Sequence, residues 1–148
     1  MNVPRTLPWL TGLILWAGLS SGCQTPTGSS LASWQGVELK LIRLVDQGQT
    51  LNLPTDRPIT MQWDADGRVN GQGPVNRYFG AVSRPSDGSI LWQGALGSTR
   101  MAGSPEAMTL ESAFFRTLTQ TTEVKVTSES LTLRSANGQT VAEWVRPK

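Results

Sequence analysis

Short runs in which apolar and polar residues alternate, each closed by a turn signal, dominate this chain and confine it to a sheet fold. A period of two sends successive side chains to opposite faces of a strand. Over residues 37–45, Val37, Leu39 and Leu41 share one face while Glu38 and Lys40 share the other, the pattern of a half-buried strand. Residues 46–57 read as a polar loop ending at Pro58, and residues 59–63 alternate again up to the turn Asp64, Ala65, Asp66, Gly67. A short return strand is expected at 68–70, broken by Gly71 and Gly73. Residues 78–82 and 89–93 read as two more strands around Pro85, Ser86, Asp87 and Gly88.

One segment follows a different period. Ser104 suits an N-cap, Pro105 the first helical position and Glu106 the first turn. Leu110, Phe114 and Leu118 recur every four residues with Met108 and Phe115 beside them, which predicts a helix to about Thr119. Alternation returns at 123–127 and 131–134. Asn137-Gly138 predicts a type I′ turn between strands at 131–135 and 140–145. The expected fold is mainly β (α+β): an antiparallel roll or partly closed barrel of about eight strands, with one helix covering an end or edge. No repeat of 20 to 50 residues is evident.

The first 22 residues have a different character. Arg5 is their only charged side chain, and the apolar stretch 7–19 is shorter than the ~20 residues a membrane-spanning helix needs. A positive start, an apolar middle and then Ser20, Ser21 and Gly22 form a signal-peptide pattern. The chain's one cysteine, Cys23, follows directly. This resembles the lipobox of bacterial lipoproteins, with Ser20 where that family usually has Leu. The resemblance implies cleavage before Cys23, attachment of acyl chains to it, and a membrane partner held through that lipid anchor. Gln24 after the cysteine implies the periplasmic face of the outer membrane in a two-membrane bacterium. The expected organisation is a signal peptide at 1–22, a lipidated cysteine and flexible tether at 23–33, and a folded domain at 34–148.

Composition removes many activities. There is no histidine, which excludes Ser-His and Cys-His catalysis and His-ligated metals, and one cysteine allows no intrachain disulfide or Cys-based zinc site. A net charge of +2 is too small to argue by itself for nucleic acid or an anionic membrane. Asp64 and Asp66 begin like a calcium loop, but Val75 stands where that motif needs its final Glu, so a solvated hairpin turn is expected. Gly71-Gln72-Gly73 lacks the Lys and hydroxyl residue of a phosphate loop. Ser98 and Thr99 have no evident base, with Lys40, Lys125 and Lys148 in strand-like or terminal segments. Trp34, Trp63, Trp92 and Trp144 lie on separate segments with little basic interleaving and read as core. Neither a cofactor nor a metal is expected.

The Gly- and Asn-rich segment 70–80, the segment Leu96-Gly97-Ser98-Thr99-Arg100-Met101-Ala102-Gly103, the helix and the closing hairpin together resemble the META (HslJ-like) domain. Asn76, Arg77, Tyr78 and Gly80 match its first motif, and Ser98 to Ala102 its second. Glu111, Phe114 or Phe115, and Leu118 match its helix, and Leu131 and Leu133 its hairpin. The two family cysteines, thought to pair, fall at Val75 and Gly103, so apolar packing is expected to replace the link.

The resemblance implies no catalytic set and a tie to envelope stress, secretion and virulence. The expectation is therefore a non-enzymatic, monomeric envelope lipoprotein that binds an envelope protein or a small ligand and no nucleic acid. Its candidate surface comprises Asn76, Arg77, Tyr78, Ser98, Thr99 and Arg100; alternatively, Asn76 and Arg100 serve only to hold the loops. Two other readings stand beside it. One is a lipocalin-like carrier with a cavity lined by Trp63, Trp92 or Trp144. The other is a protease inhibitor or peptide binder using an exposed strand edge or loop.

Overall fold

The computed structural model describes residues 31–84 and 89–148. The expected signal peptide, Cys23, most of the expected tether and residues 85–88 lie outside the described residues. The folded body begins with a 3₁₀ turn, Leu31–Trp34, whose Trp34 is buried under the Arg146 guanidinium, 4.5 Å from its ring centroid. The end of the expected tether, residues 31–33, thus belongs to this turn.

Strands β1 (Glu38–Asp46), β3 (Thr60–Trp63), β4 (Arg68–Gln72) and β5 (Arg77–Ser83) form the first half of one curled antiparallel sheet, with two-residue β2 (Gln49–Thr50), β6 (Leu91–Trp92) and β7 (Gly97–Ser98) at their margins. Helix α1 (Pro105–Gln120) follows, and then β8 (Glu123–Val126), β9 (Ser130–Arg134) and β10 (Val141–Val145) complete it. The order is β6-β5-β4-β3-β1-β10-β9-β8, with β2 beside β1 and β7 beside β5. Ends of the curl meet at one seam, where Ile90 N–H donates to the Thr122 carbonyl (2.9 Å) and Ser89 bridges Glu123. This is the expected partly closed roll with one helix, its eight-strand path flanked by two short extra strands.

Alternation explains the layering. On the inner face lie Leu39, Leu41, Leu44, Met61, Trp63, Val69, Tyr78, Val82, Leu131, Leu133, Ala142 and Trp144, all buried, and α1 fills the curl with Phe114 and Leu118. Phe114 meets Tyr78 and Trp144 edge-on, at centroid distances of 5.3 and 6.1 Å. The helix starts as expected, with Ser104 Oγ accepting from Ala107 N–H (3.2 Å). Its buried face, however, runs through Glu111, Ala113, Phe114, Thr117 and Leu118, while Leu110 is half-buried and Met108 exposed. Arg116 fixes the helix to the end of β1 through a two-pronged ion pair with buried Asp46, and that hydrogen bond and then the neighbouring charge raise the pKa of its guanidinium.

Several local expectations are corrected. Strand β4 continues through Gly71, because a Cβ there would lie 2.0 Å from the Thr60 carbonyl oxygen; the glycine permits close approach rather than breaking the strand. Only Leu91–Trp92 of the expected strand at 89–93 is regular. Polar loop 46–57 opens with a hairpin whose central residues, Gln47 (φ 50°) and Gly48 (φ 80°), form the type I′ turn. Asn137-Gly138 does not form one: only Gly138 has positive φ (70°), and the loop runs from Ser135 to Thr140. There the Asn137 side-chain Oδ1 braces the loop, accepting from Ser135 Oγ–H (2.6 Å) and Gln139 N–H (3.0 Å). The turn expected at Asp64–Gly67 is present, and Asp64 caps it by accepting from Arg68 N–H at 2.8 Å.

Candidate functional site

The segment from β4 to β5, the segment after β7 and the middle of α1 converge on Asn76. Its side chain is 3 % exposed and each of its polar positions is engaged. The Oδ1 atom accepts from Thr99 Oγ–H (2.8 Å) and Met101 N–H (2.7 Å); Nδ2 donates to Glu111 Oε1 (2.7 Å) and the Met101 carbonyl (3.2 Å). Glu111 Oε2 accepts from the backbone N–H groups of Val75 (2.8 Å) and Asn76 (2.6 Å). A carboxylate 4 % exposed thus faces three N–H donors and joins the helix to a loop 35 residues away in sequence. These contacts also settle the amide's orientation, since the reverse would set Oδ1 against the carboxylate.

Neighbouring groups extend the clamp. The Asn76 carbonyl accepts from Gly73 N–H (2.7 Å), and Arg77 N–H donates to Thr99 Oγ (3.2 Å). Gln72 Nε2 ties down the carbonyls of Gly73 and Val75. Tyr78 is buried with its hydroxyl donating to the Thr60 carbonyl (3.0 Å), and burial raises its pKa well above the ordinary tyrosine value. A Cβ built on Gly103 would lie 2.7 Å from Val75 Cγ2 and 3.5 Å from Val75 Cβ, so the two loops remain in contact where the family's cysteines would stand. Valine against glycine packs there in place of a covalent bond.

Of the six candidate surface residues, the structure therefore turns Asn76, the Thr99 hydroxyl and Tyr78 to internal work. Arg77, Ser98 and Arg100 are exposed, and neither arginine is in an ion pair with a described residue. Glu111 was not among the six. Its signal is an acid at i on the same helical face as Phe114, Phe115 and Leu118 at i+3, i+4 and i+7, a carboxylate on a face that has to be buried.

Beside the clamp lies a cleft of about 470 Å³ lined by Glu38, Arg57, Pro58, Thr60, Gln72, Val75, Arg77, Thr99 and Met101. Among the described residues, no group of three or more acids could hold a metal, and no helix is long and apolar enough to cross a membrane. Among the described residues, no acid or lysine is in a hydrogen bond or ion pair with Ser98 or Thr99.

Fold and clamp together define the class: a curled antiparallel sheet closed over one helix, with a helical carboxylate gripping one loop and, through Asn76, a second. The META domain family model matches residues 30–148, and the chain belongs to that family. Two solved structures share the fold. A protein from Burkholderia xenovorans is 22 % identical with a TM-score of 0.65, covering 88 % of this chain and 97 % of its own. A duf4847 family protein from Bacteroides vulgatus is 11 % identical with a TM-score of 0.55, covering 78 % and 95 %. A comparison with curated proteins gives no match.

Proposed function

We propose that this META-domain protein is a non-enzymatic envelope lipoprotein, anchored through Cys23, whose folded domain binds another envelope component. One observation carries the reading. The motif's reactive-looking groups, Asn76, Thr99 and Glu111, are spent on one another and on backbone N–H groups, while the adjacent cleft keeps Arg57 and Arg77 outside any ion pair with a described residue. A rigid frame around an amphiphilic cleft suits recognition, because little ordering entropy is then lost on binding. A link to stress response or secretion is part of the proposal through the family resemblance alone.

The carrier reading is less favoured. Trp63 and Trp144 are 2 % and 0 % exposed, so neither faces a space that a water molecule could enter, and half-buried Trp92 donates its Nε1–H to Thr121 Oγ (3.2 Å). Fatty-acid radiolabelling tests the anchor: label on the wild type and none on Cys23→Ser is expected, and label retained by the variant refutes it. Capture from envelope extracts tests the surface. Arg57→Ala with Arg77→Ala should lose a partner that the wild type retains, and identical capture by both would refute the assignment.

A further inference from the structure

The outward face of β4, β5, β6 and β7 has a character that the chain's overall charge conceals. The strand register puts Arg68 opposite Ala81, Asn70 opposite Phe79, Gln72 opposite Arg77, Leu91 opposite Ser83 and Gly97 opposite Phe79, all on the side away from the core. Phe79 is 62 % exposed and Leu91 49 %. The Phe79 ring lies over Gly97, where a Cβ would come within 2.3 Å of it, so one side of the ring is held and the other meets solvent. Arg77 lies two residues along the same strand and Arg68 on the diagonal, and neither is in an ion pair with a described residue. Strands β4 to β7 carry Arg68 and Arg77 and no acid, while Asp64 and Asp66 occupy the turn before β4, with Asp64 accepting from Arg68 N–H, and Glu38 lines a cleft with Arg77. Arg116 and Arg134, in contrast, are paired to Asp46 and Glu123.

We infer that this face docks on an anionic lipid surface, with Phe79 and Leu91 entering the headgroup layer and Arg68 and Arg77 meeting its phosphates. Apart from the cleft that Gln72 and Arg77 border at one margin, the face is the outside of a curled sheet and therefore convex, which suits a flat, deformable surface. Apolar side chains flanked by arginine combine the two terms of interfacial binding, buried apolar area and attraction to anionic lipid. The inference rests on the envelope reading for its setting only; the contact is argued from the face itself and needs no acyl chain.

The test uses a chain beginning at Gln24, which has no lipidation site and retains the whole region matched by the family model. Sedimentation with phosphatidylcholine vesicles, and with vesicles containing about one-quarter phosphatidylglycerol, is measured at low salt. Binding to the anionic vesicles alone is expected. Since each basic residue at such a surface contributes roughly fivefold, Arg68→Gln with Arg77→Gln should weaken it by about 30-fold. Phe79→Thr should weaken it by roughly fivefold. Lys125→Gln with Lys148→Gln, the charge-matched control outside this face, should leave it within about threefold of the wild type.

The inference is overturned by wild-type binding that is absent or indifferent to lipid charge, or by equal loss in the control. Tighter binding to poly-L-glutamate than to the anionic vesicles also overturns it, in favour of an acidic polypeptide. Because the probe carries no acyl chain, any of these outcomes leaves the Cys23 anchor standing, and loss of that anchor leaves this face untouched.

Discussion

Restoring a covalent link between the two motif loops tests how closely the structure holds them. In Val75→Cys with Gly103→Cys, the Cβ atoms start from a separation of 3.5 Å, at the lower edge of the disulfide range. The Val75 methyl that would lie 2.7 Å from a residue-103 Cβ is removed by the same change. Gly103 is not among the glycines with positive φ, so a side chain there meets no backbone penalty. Closing a loop of about 28 residues is worth about 3.6 kcal/mol in the chain-entropy account. Loss of one methyl from buried Val75 takes back about 1 kcal/mol, leaving a net gain of about 2.5 kcal/mol.

For a domain of this size that corresponds to roughly 10 °C in Tm. The assay is thermal unfolding of a chain beginning at Gln24, with and without reductant, alongside a free-thiol titration. Oxidised double variant should melt above wild type and reduced variant below it. Gly103→Ala alone should destabilise, since its methyl meets Val75. Thiols that stay free in air, or an oxidised form no more stable than the reduced one, would refute the loop geometry and the view that Val75 and Gly103 replaced a bond.

Three further outcomes are expected. Glu111→Ala should cost about 3–5 kcal/mol in urea denaturation, because it leaves three buried N–H donors unpaired, and Glu111→Gln about 2 kcal/mol, because its amide sets an N–H against Asn76 Nδ2. Stability should fall as pH rises above 10: the folded Tyr78 phenol keeps its proton while the unfolded one loses it, so unfolding releases a proton. Absorbance of this lone tyrosine follows its ionisation directly, and Tyr78→Phe should remove its contribution to the alkaline loss. Gln47→Asn should add about 0.5–1 kcal/mol, since Asn tolerates the positive φ that the β1–β2 turn imposes; an unchanged denaturation midpoint would count against that turn type.

Legibility in the sequence followed the range of the interaction. Period-two strands and the Ser104 cap are local and were read closely. The two-residue strands β2 and β7 were not, because pairing to β1 and β5 defines them rather than any preference of Gln49, Thr50, Gly97 or Ser98. The turn at Gln47 is not legible because glutamine carries no turn signal; hairpin closure forces its φ. Asn76 and Thr99 were visible through the motif, yet their inward orientation depends on Glu111, which reaches them from across the fold. Net charge hid the basic face, since summing over the chain cancels what strand register separates.

The first full strand sits at the centre of the sheet, between β3 and β10, and Lys40 pairs with Val145 about 105 residues later. The β1–β10 pairing at the middle of the sheet therefore cannot form until residues 141–145 have been made. Such long-range closure is slow relative to local turns and helices. A partly synthesised chain remains open and threadable, the condition required of any polypeptide that must pass through a narrow translocation channel before it folds.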